Sequence, residues 1–253
     1  MAEQLTAFIS SAESARFGRS TLRVNVPPSL SVGEAAVQLT DILASTEAEI
    51  VILRYPSEAL GLFAGADLDG WARFPGGSLL YWRAPSHPVH DGSGTRELTG
   101  EERTRHAAEI DAMLRDSFAG YVNHYAANPL IEPDAAVLGY AQWAQAIASD
   151  ARNRIFTVDD PEGIVGAAAI SVSDGGWDIN LAGVLSRAQR RGHYRRLLSG
   201  IVAAAESEKA DLIISTQSHN IPVQRAWAAE GFLPDHSVDT VHLVPRAMLT
   251  RRG

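Results

Sequence analysis

Apolar and polar positions along the chain predict an α/β protein in two parts. From Thr21 to Val26 the residues TLRVNV alternate in the manner of a half-buried strand, and Pro27, Pro28 and Ser29 stop the run. Val32, Ala35, Ala36, Leu39, Ile42 and Leu43 then recur at helical spacing, with Ser31 as N-cap and Glu34 completing a capping box. EIVILRY (49–55) reads as a short buried strand, and SLLYWRA (78–84), after a loop rich in Gly and Asp, reads as another. Residues 85–94, PSHPVHDGSG, have linker composition, which divides the chain into an N-terminal α/β domain at 1–88 and a larger domain at 96–253.

Beyond the linker, Ile110, Met113, Leu114 and Phe118 share one helical face, and Val137, Tyr140, Ala144 and Ile147 share another in a helix begun at Pro133 and Asp134. Between them GYVNHYAANPLI (120–131) is too rich in amide and imidazole groups for plain core. RIFTVDD, GIVGAAAISVS and WDINLAGVL, separated by the turn sequences DDPEG and SDGG, predict a three-stranded antiparallel meander over 154–185. A long helix follows Gly192 and buries Leu197, Leu198, Ile201, Val202 and Ala205. KADLIIST returns as a strand, a helix runs from about Pro222 to Gly231, and VDTVHLV is the last strand.

Composition narrows the possible functions. The 253 residues are 45% hydrophobic and 21% charged, with no apolar run of membrane-spanning length, which predicts an ordinary globular protein that does not bind membranes. The opening MAEQLTAFISSAESARFG lacks the basic start and long apolar core of a secretory signal, so a cytoplasmic location is expected. With no cysteine, disulfides, thiolate metal sites and cysteine nucleophiles are excluded. A net charge of -8 argues against a general nucleic-acid binder. Basic residues matter only where they cluster, and five arginines fall between Arg187 and Arg196.

That cluster contains QRRGHYRRLL (189–198), placed between a predicted buried strand and a long helix. A helix N-terminus with unsatisfied N–H groups, a glycine that admits close approach and adjacent arginines together suit a phosphate. One glycine is a weak signal by itself, and neither a Walker ending nor a dinucleotide fingerprint is present. A solvated basic turn is the alternative.

The order of elements, together with this loop, resembles the GNAT superfamily of acyl-CoA-dependent N-acyltransferases over about residues 96–247. The family loop reads Gln/Arg-x-x-Gly-x-Gly/Ala; Gln189 and Gly192 match it, and Tyr194 departs at the last small position. An Asn after the next strand and a helix ending in Gly-Phe are matched by Asn220, Gly231 and Phe232. A narrower likeness, to bacterial TDP-fucosamine acetyltransferases, rests on Phe17–Ser20, on YAQW at 140–143 and on the Thr-Gln-x-x-Asn stretch Thr216–Asn220.

The resemblance implies a mixed, mainly antiparallel sheet flanked by helices, with a smaller N-terminal α/β domain. It implies acetyl-CoA or another acyl-CoA as co-substrate, no metal, and a small-molecule primary amine as acceptor, an amino sugar or a specialised-metabolite precursor. The chain would be a monomer or a homodimer. Coenzyme A would meet Gln189, Arg190, Arg191, Gly192, His193, Tyr194, Arg195, Asn220 and Trp227, with the thioester carbonyl at backbone N–H groups near Ala182 to Val184. The family's usual sulfur-protonating Tyr corresponds to Trp227, and an indole cannot act as that acid. Tyr194, His193 and His219 are candidate substitutes; Tyr194 packing as core and His219 facing solvent are the plain alternatives.

For the base, Asp178 shares a predicted strand face with Asn180, and His124 and Glu132 compete for the role. The acceptor pocket is drawn from Tyr121, His124, Tyr125 and Asn128, with Tyr140 and Trp143 either beside them or in the core. A non-catalytic acyl-CoA-binding or regulatory module is the competing function, favoured by Trp227 itself.

Overall fold

The computed structural model describes residues 3–117 and 121–249, with only the backbone over 137–141. In chain order the elements are β1 (Thr6–Ile9), α1 (Ser11–Phe17), β2 (Thr21–Asn25), α2 (Val32–Ser45), β3 (Ile50–Pro56), α3 (Leu62–Gly65) and β4 (Trp71–Arg83). They continue with β5 (Thr95–Glu97), α4 (Gly100–Ser117), a 3-10 turn at His124–Ala127, α5 (Pro133–Ser149), β6 (Arg154–Asp160), β7 (Gly163–Ser173) and β8 (Gly176–Val184). A further 3-10 turn (Ser186–Ala188), α6 (His193–Ser207), β9 (Leu212–Gln217), α7 (Ile221–Ala229), β10 (Leu233–Pro245) and α8 (Arg246–Leu249) complete the chain.

The described residues form two compact units. The first gathers the chain up to Leu79, residues 122–139 and the chain from His236; the second gathers residues 80–121 and 140–235. A cut between 88 and 96 does not separate them. Tyr125, Leu130, Ile131 and Ala136, from the segment expected in the later domain, share a core with Ile50, Ile52 and Val244 of the first unit. Burial against a distant strand decides that membership, and local pattern does not carry it.

In the first unit β1 pairs antiparallel with β2, β2 parallel with β3, and β3 antiparallel with β10. Helix α2 makes the crossover that two parallel strands need. Its Ala35, Ala36, Leu39 and Leu43 pack with Val24, Val51, Leu53 and Leu243. The Ser31 hydroxyl accepts from the Glu34 N–H, the first half of the expected capping box, and donates to the Glu34 carboxylate in place of the reciprocal backbone bond.

The second unit carries the order β4-β9-β8-β7-β6-β5. Strands β5 to β8 pair antiparallel and β8 pairs parallel with β9, so its sheet is mixed and mainly antiparallel. One face packs α6 through Leu197, Leu198, Ile201 and Val202 against Phe156, Val165, Ile170, Trp177 and Ile179. The other face packs α4 through Ile110, Met113 and Leu114 against Ile155, Ala167, Ala169 and Leu181. Phe118 lies outside the described residues.

Residues 85–94 are packed against α6 and are not a free linker. A Cβ on Gly92 would fall 2.4 Å from the backbone N of Gly200, and one on Gly200 would fall 2.4 Å from Thr95 Cβ. Thr95 Oγ1 also donates to the Arg196 carbonyl at 2.9 Å. Glycine at both positions permits this approach. No helix among the described residues is long and apolar enough to cross a membrane.

The segment 123–128 is polar because it builds a buried network in the first unit. Asn128 Oδ1 accepts from the Leu130 N–H, which turns Nδ2 toward His242 Nδ1 at 3.1 Å. His242 therefore keeps its proton on Nε2 and donates to His124 Nδ1 at 2.9 Å. Burial, then Arg23 and Arg54, push His242 down to about 3 despite the opposing Glu13. Burial, with His242, Arg54 and Arg23, also holds His124 well below its usual value. Alongside, the Glu13 carboxylate takes two bonds from Arg23, at 2.7 and 2.6 Å, and the Tyr125 hydroxyl. Burial raises the Glu13 pKa, but Arg23 and Tyr125 reverse that and hold it at about 2.

Both histidines bind protons more readily when unfolded, so their contribution is complete above about pH 6.5 and is lost as pH falls, for His242 through about 3. Glu13 adds a loss between its usual 4.5 and about 2. Urea midpoints are expected to fall steadily from pH 7 to pH 4. The variant His242→Asn should flatten that slope whatever its midpoint at pH 7.

Candidate functional site

Strands β8 and β9 pair only through Trp177 with Leu212, Asp178 with Ile213 and Ile179 with Ile214. The β7–β8 register shifts at the same level: Ala169 faces Leu181 and Ile170 faces Ile179, so Asn180 is a bulge. The bulge turns the strand over. Ile179 packs on the α6 side and Leu181, two residues later, on the α4 side. Past that point the edge of β8 facing β9 is unpaired, and alternate backbone N–H and C=O groups of 180–184 are left facing the gap.

The gap is an open cleft of about 700 Å³. Its walls include Ile179 to Val184 of β8 and Ile214 to Thr216 of β9, with Ser117 and Tyr121 also lining it. Gln189, Arg190, Gly192, Tyr194 and Arg195 line it from the loop into α6, and Asn220, Val223, Trp227 and Glu230 from α7 and its ends.

Helix α6 starts without a side-chain cap at Gly192, which has φ +85° and open space where a Cβ would be. Arg190 is also left-handed, at φ +61°. The loop thus turns sharply twice and presents the first N–H groups of α6, which have no intrahelical acceptor. Gln189 braces it by donating from Nε2 to the Val184 carbonyl at 3.3 Å. Arg195 Nε meets Glu230 at 2.7 Å, and Glu230, 3% exposed, also accepts from Ser199 Oγ at 3.0 Å. At the α7 end Asn220 is engaged locally: its Nδ2 donates to Thr216 Oγ1 at 3.0 Å.

Trp227 is 2% exposed and lies edge-on to Trp82, with ring centroids 6.1 Å apart. Its Nε1–H donates to the Tyr194 hydroxyl at 2.9 Å. Burial pushes the Tyr194 phenol up to about 12, against the lowering effect of that bond. Asp178 is half-buried in the middle of the three-residue β8–β9 pairing and does not line the cleft; burial alone pushes it up to about 6. It faces Ser171 across the ladder, and Asn180 Nδ2 donates to Ser171 Oγ at 2.9 Å.

The sequence-derived residues therefore divide. Ala182, Val184, Gln189, Arg190, Gly192, Tyr194, Arg195, Asn220, Trp227 and Tyr121 all line the cleft. Arg191 and His219 are exposed, and neither they nor half-buried His193 line it. His124, Tyr125 and Asn128 do not line it either; they belong to the buried network of the first unit, where their polar atoms bind one another. Glu132 is exposed, Trp143 is 37% exposed, and the side chain of Tyr140 lies outside the described residues. Sequence reasoning missed Ser117, Ser215, Thr216, Val223 and Glu230. Two of them left a trace: Thr216, as the start of the Thr-Gln-x-x-Asn stretch, and Glu230, as the residue before the Gly-Phe pair. Among the described residues no group of three His, Asp or Glu side chains could hold a metal ion.

No protein-family model matches this sequence, and no curated protein matches it. Solved structures do. An acetyltransferase of the GNAT family from Colwellia psychrerythraea superposes with a TM-score of 0.56 at 16% identity, over 88% of this chain and 80% of that one. The chain shares its fold with GNAT-family acetyltransferases. A GCN5-related N-acetyltransferase from Sphaerobacter thermophilus gives 0.54 at 15% identity, over 94% and 75% of the two chains. One from Kribbella flavida gives 0.51 at 17%, over 89% and 81%. Identities this low establish the fold and leave the activity to the site.

The Arg195–Glu230 contact is unequal in burial, which sets the cost of breaking it. Removing Arg195 leaves a buried carboxylate with only Ser199 Oγ at 3.0 Å and His90 Nε2 at 3.6 Å, whereas Glu230→Gln still accepts from Ser199 without a charge to satisfy. Arg195→Ala is expected to lower stability by about 1–3 kcal/mol and Glu230→Gln by less, as read from denaturant midpoints.

Proposed function

We propose that the cleft binds an acyl-CoA and transfers its acyl group to the primary amine of a small molecule. The observation that carries this reading is the uncapped start of α6 at Gly192, with Arg190 and Arg195, opening onto the gap between two parted strands. Exposed first-turn N–H groups and guanidinium groups suit a pyrophosphate, and the absence of a Cβ at Gly192 lets it approach. A pantetheine arm in the gap could take hydrogen bonds from the free β8 edge as an added strand would. The same edge offers N–H groups near Ala182 to Val184 to the thioester oxygen, where charge develops during acyl transfer.

A primary amine must lose a proton to attack. A carboxylate near pH 6 is matched to that task, which favours Asp178 as the base; it lies outside the cleft lining, so the proton would reach it through water. Tyr121, Ser117 and Asn180 give the acceptor side of the cleft polar character suited to a small polar amine, amino sugars included.

Calorimetry with acetyl-CoA tests the cofactor assignment: Gly192→Asp should weaken binding by more than about tenfold through strain and like charge. A wild-type protein that binds no acyl-CoA would remove the assignment. Release of free coenzyme A across an amine panel tests the transfer, and tight binding without turnover would favour a non-catalytic acyl-CoA-binding module.

Asp178→Asn carries a double expectation. The folded pKa lies above the unfolded 3.8, so the ionised side chain destabilises the fold as pH rises through about 6. At pH 7 the variant should be more stable by up to about 3 kcal/mol, less to the extent that solvent screens the half-buried carboxylate, while kcat/KM falls by about 100-fold. Thermal melts and the coenzyme A release assay read the two effects separately.

A further inference from the structure

The Tyr194–Trp227 pair holds a donor that the protein does not use. An indole N–H can only donate, so in the 2.9 Å contact the Tyr194 oxygen accepts. The phenol keeps its own proton, and among the described residues no acceptor for it is present. Both side chains line the cleft, so this proton is available to whatever lies there.

We propose that Tyr194 donates a hydrogen bond to the leaving sulfur of a bound thioester, and that Trp227 is a positioning residue that fixes the phenol oxygen for it. This rests on the acyl-CoA reading above. As the amine nitrogen bonds to the acyl carbon, the carbon–sulfur bond breaks and its electron pair goes to sulfur. The amine proton goes to Asp178, and the thiolate leaves hydrogen-bonded to an intact Tyr194 O–H. The phenol does not hand over its proton. At about 12 it is a far weaker acid than a thiol near 8.5, so full transfer would run uphill. The thiolate later takes a proton from solvent. Trp227 assists because its N–H withdraws electron density from the phenol oxygen, which strengthens the O–H as a donor.

Binding of free coenzyme A provides a test that does not depend on turnover. A thiolate that accepts from Tyr194 is stabilised, so the thiol pKa of bound coenzyme A should fall by about one unit, read from thiolate absorbance in the ultraviolet. Arg190, Arg195 and Glu230 line the same cleft and also act on that thiol. The share due to Tyr194 is the part lost in Tyr194→Phe, whose coenzyme A affinity at pH 6 should stay within about twofold while kcat drops at least tenfold. Trp227→Phe should lose a smaller part of the shift, and the double variant should be no worse than Tyr194→Phe alone.

If Tyr194→Phe does not fold, as melting and coenzyme A binding would reveal, the wild-type and Trp227→Phe titrations still decide. Coenzyme A that binds with an unchanged thiol pKa overturns the proposal alone. A shift fully retained in both variants does the same. A protein that binds no coenzyme A overturns both this inference and the reading beneath it.

Discussion

The parting of β8 from β9 is the constraint on which the second unit depends. Three residues of parallel pairing hold the strands together, and the Asn180 bulge then rotates β8 so that its side chains change faces. An unpaired strand edge inside a sheet would ordinarily be costly, because its backbone groups lose water without gaining partners. Here the edge opens onto a cleft, and packing on both faces keeps it open. Ile179 is fixed against α6 and Leu181 against α4, so closing the gap would disturb two cores. Helix α6 begins at one end of the same gap, which brings its uncapped N–H groups to the cleft.

Two departures from the pattern of the family that the sequence resembles make sense together in this geometry. Tyr194 stands where a small residue is usual, and Trp227 stands where a tyrosine is usual. The structure joins them by one hydrogen bond whose direction is fixed by indole chemistry. The hydroxyl is therefore supplied from the start of α6, and α7 supplies the group that orients it. Glu230 has a parallel relation to Arg195, with a buried carboxylate restraining an arginine that is half exposed.

The first unit uses polar residues differently. His124 and His242 are kept neutral by burial and by nearby arginines, and His124 Nδ1 and both ring nitrogens of His242 have fixed hydrogen-bond roles. A proton added to His242 Nδ1 would confront the Asn128 amide, so this network resists protonation instead of exchanging protons. Such groups fix a packing arrangement, and they are poor candidates for acid–base chemistry near neutral pH.

Periodicity in the sequence determined α2, β3, the β6–β8 meander, α6 and the glycine loop at its start, because each depends on residues a few positions apart. It did not reveal the first half of β4, where Phe74, Pro75, Gly76 and Gly77 read as a turn. The packing of 85–94 was hidden as well, since glycines that permit a tight crossing have the same composition as glycines in a linker. For the site, the loop from Gln189 to Arg195 was legible as a motif, and five of its seven residues line the cleft while Arg191 and His193 do not. The polar segment around His124 suggested a binding pocket, and only long-range pairing with Glu13, Arg23 and His242 placed it in a core. Tyr194 and Trp227 are 33 positions apart, and their bond exists only because α6 and α7 fold onto the same cleft. Local order along the chain determined which elements form and where a phosphate could sit. Tertiary structure alone decided which side chains meet, because burial and hydrogen-bond direction are properties of the assembled fold.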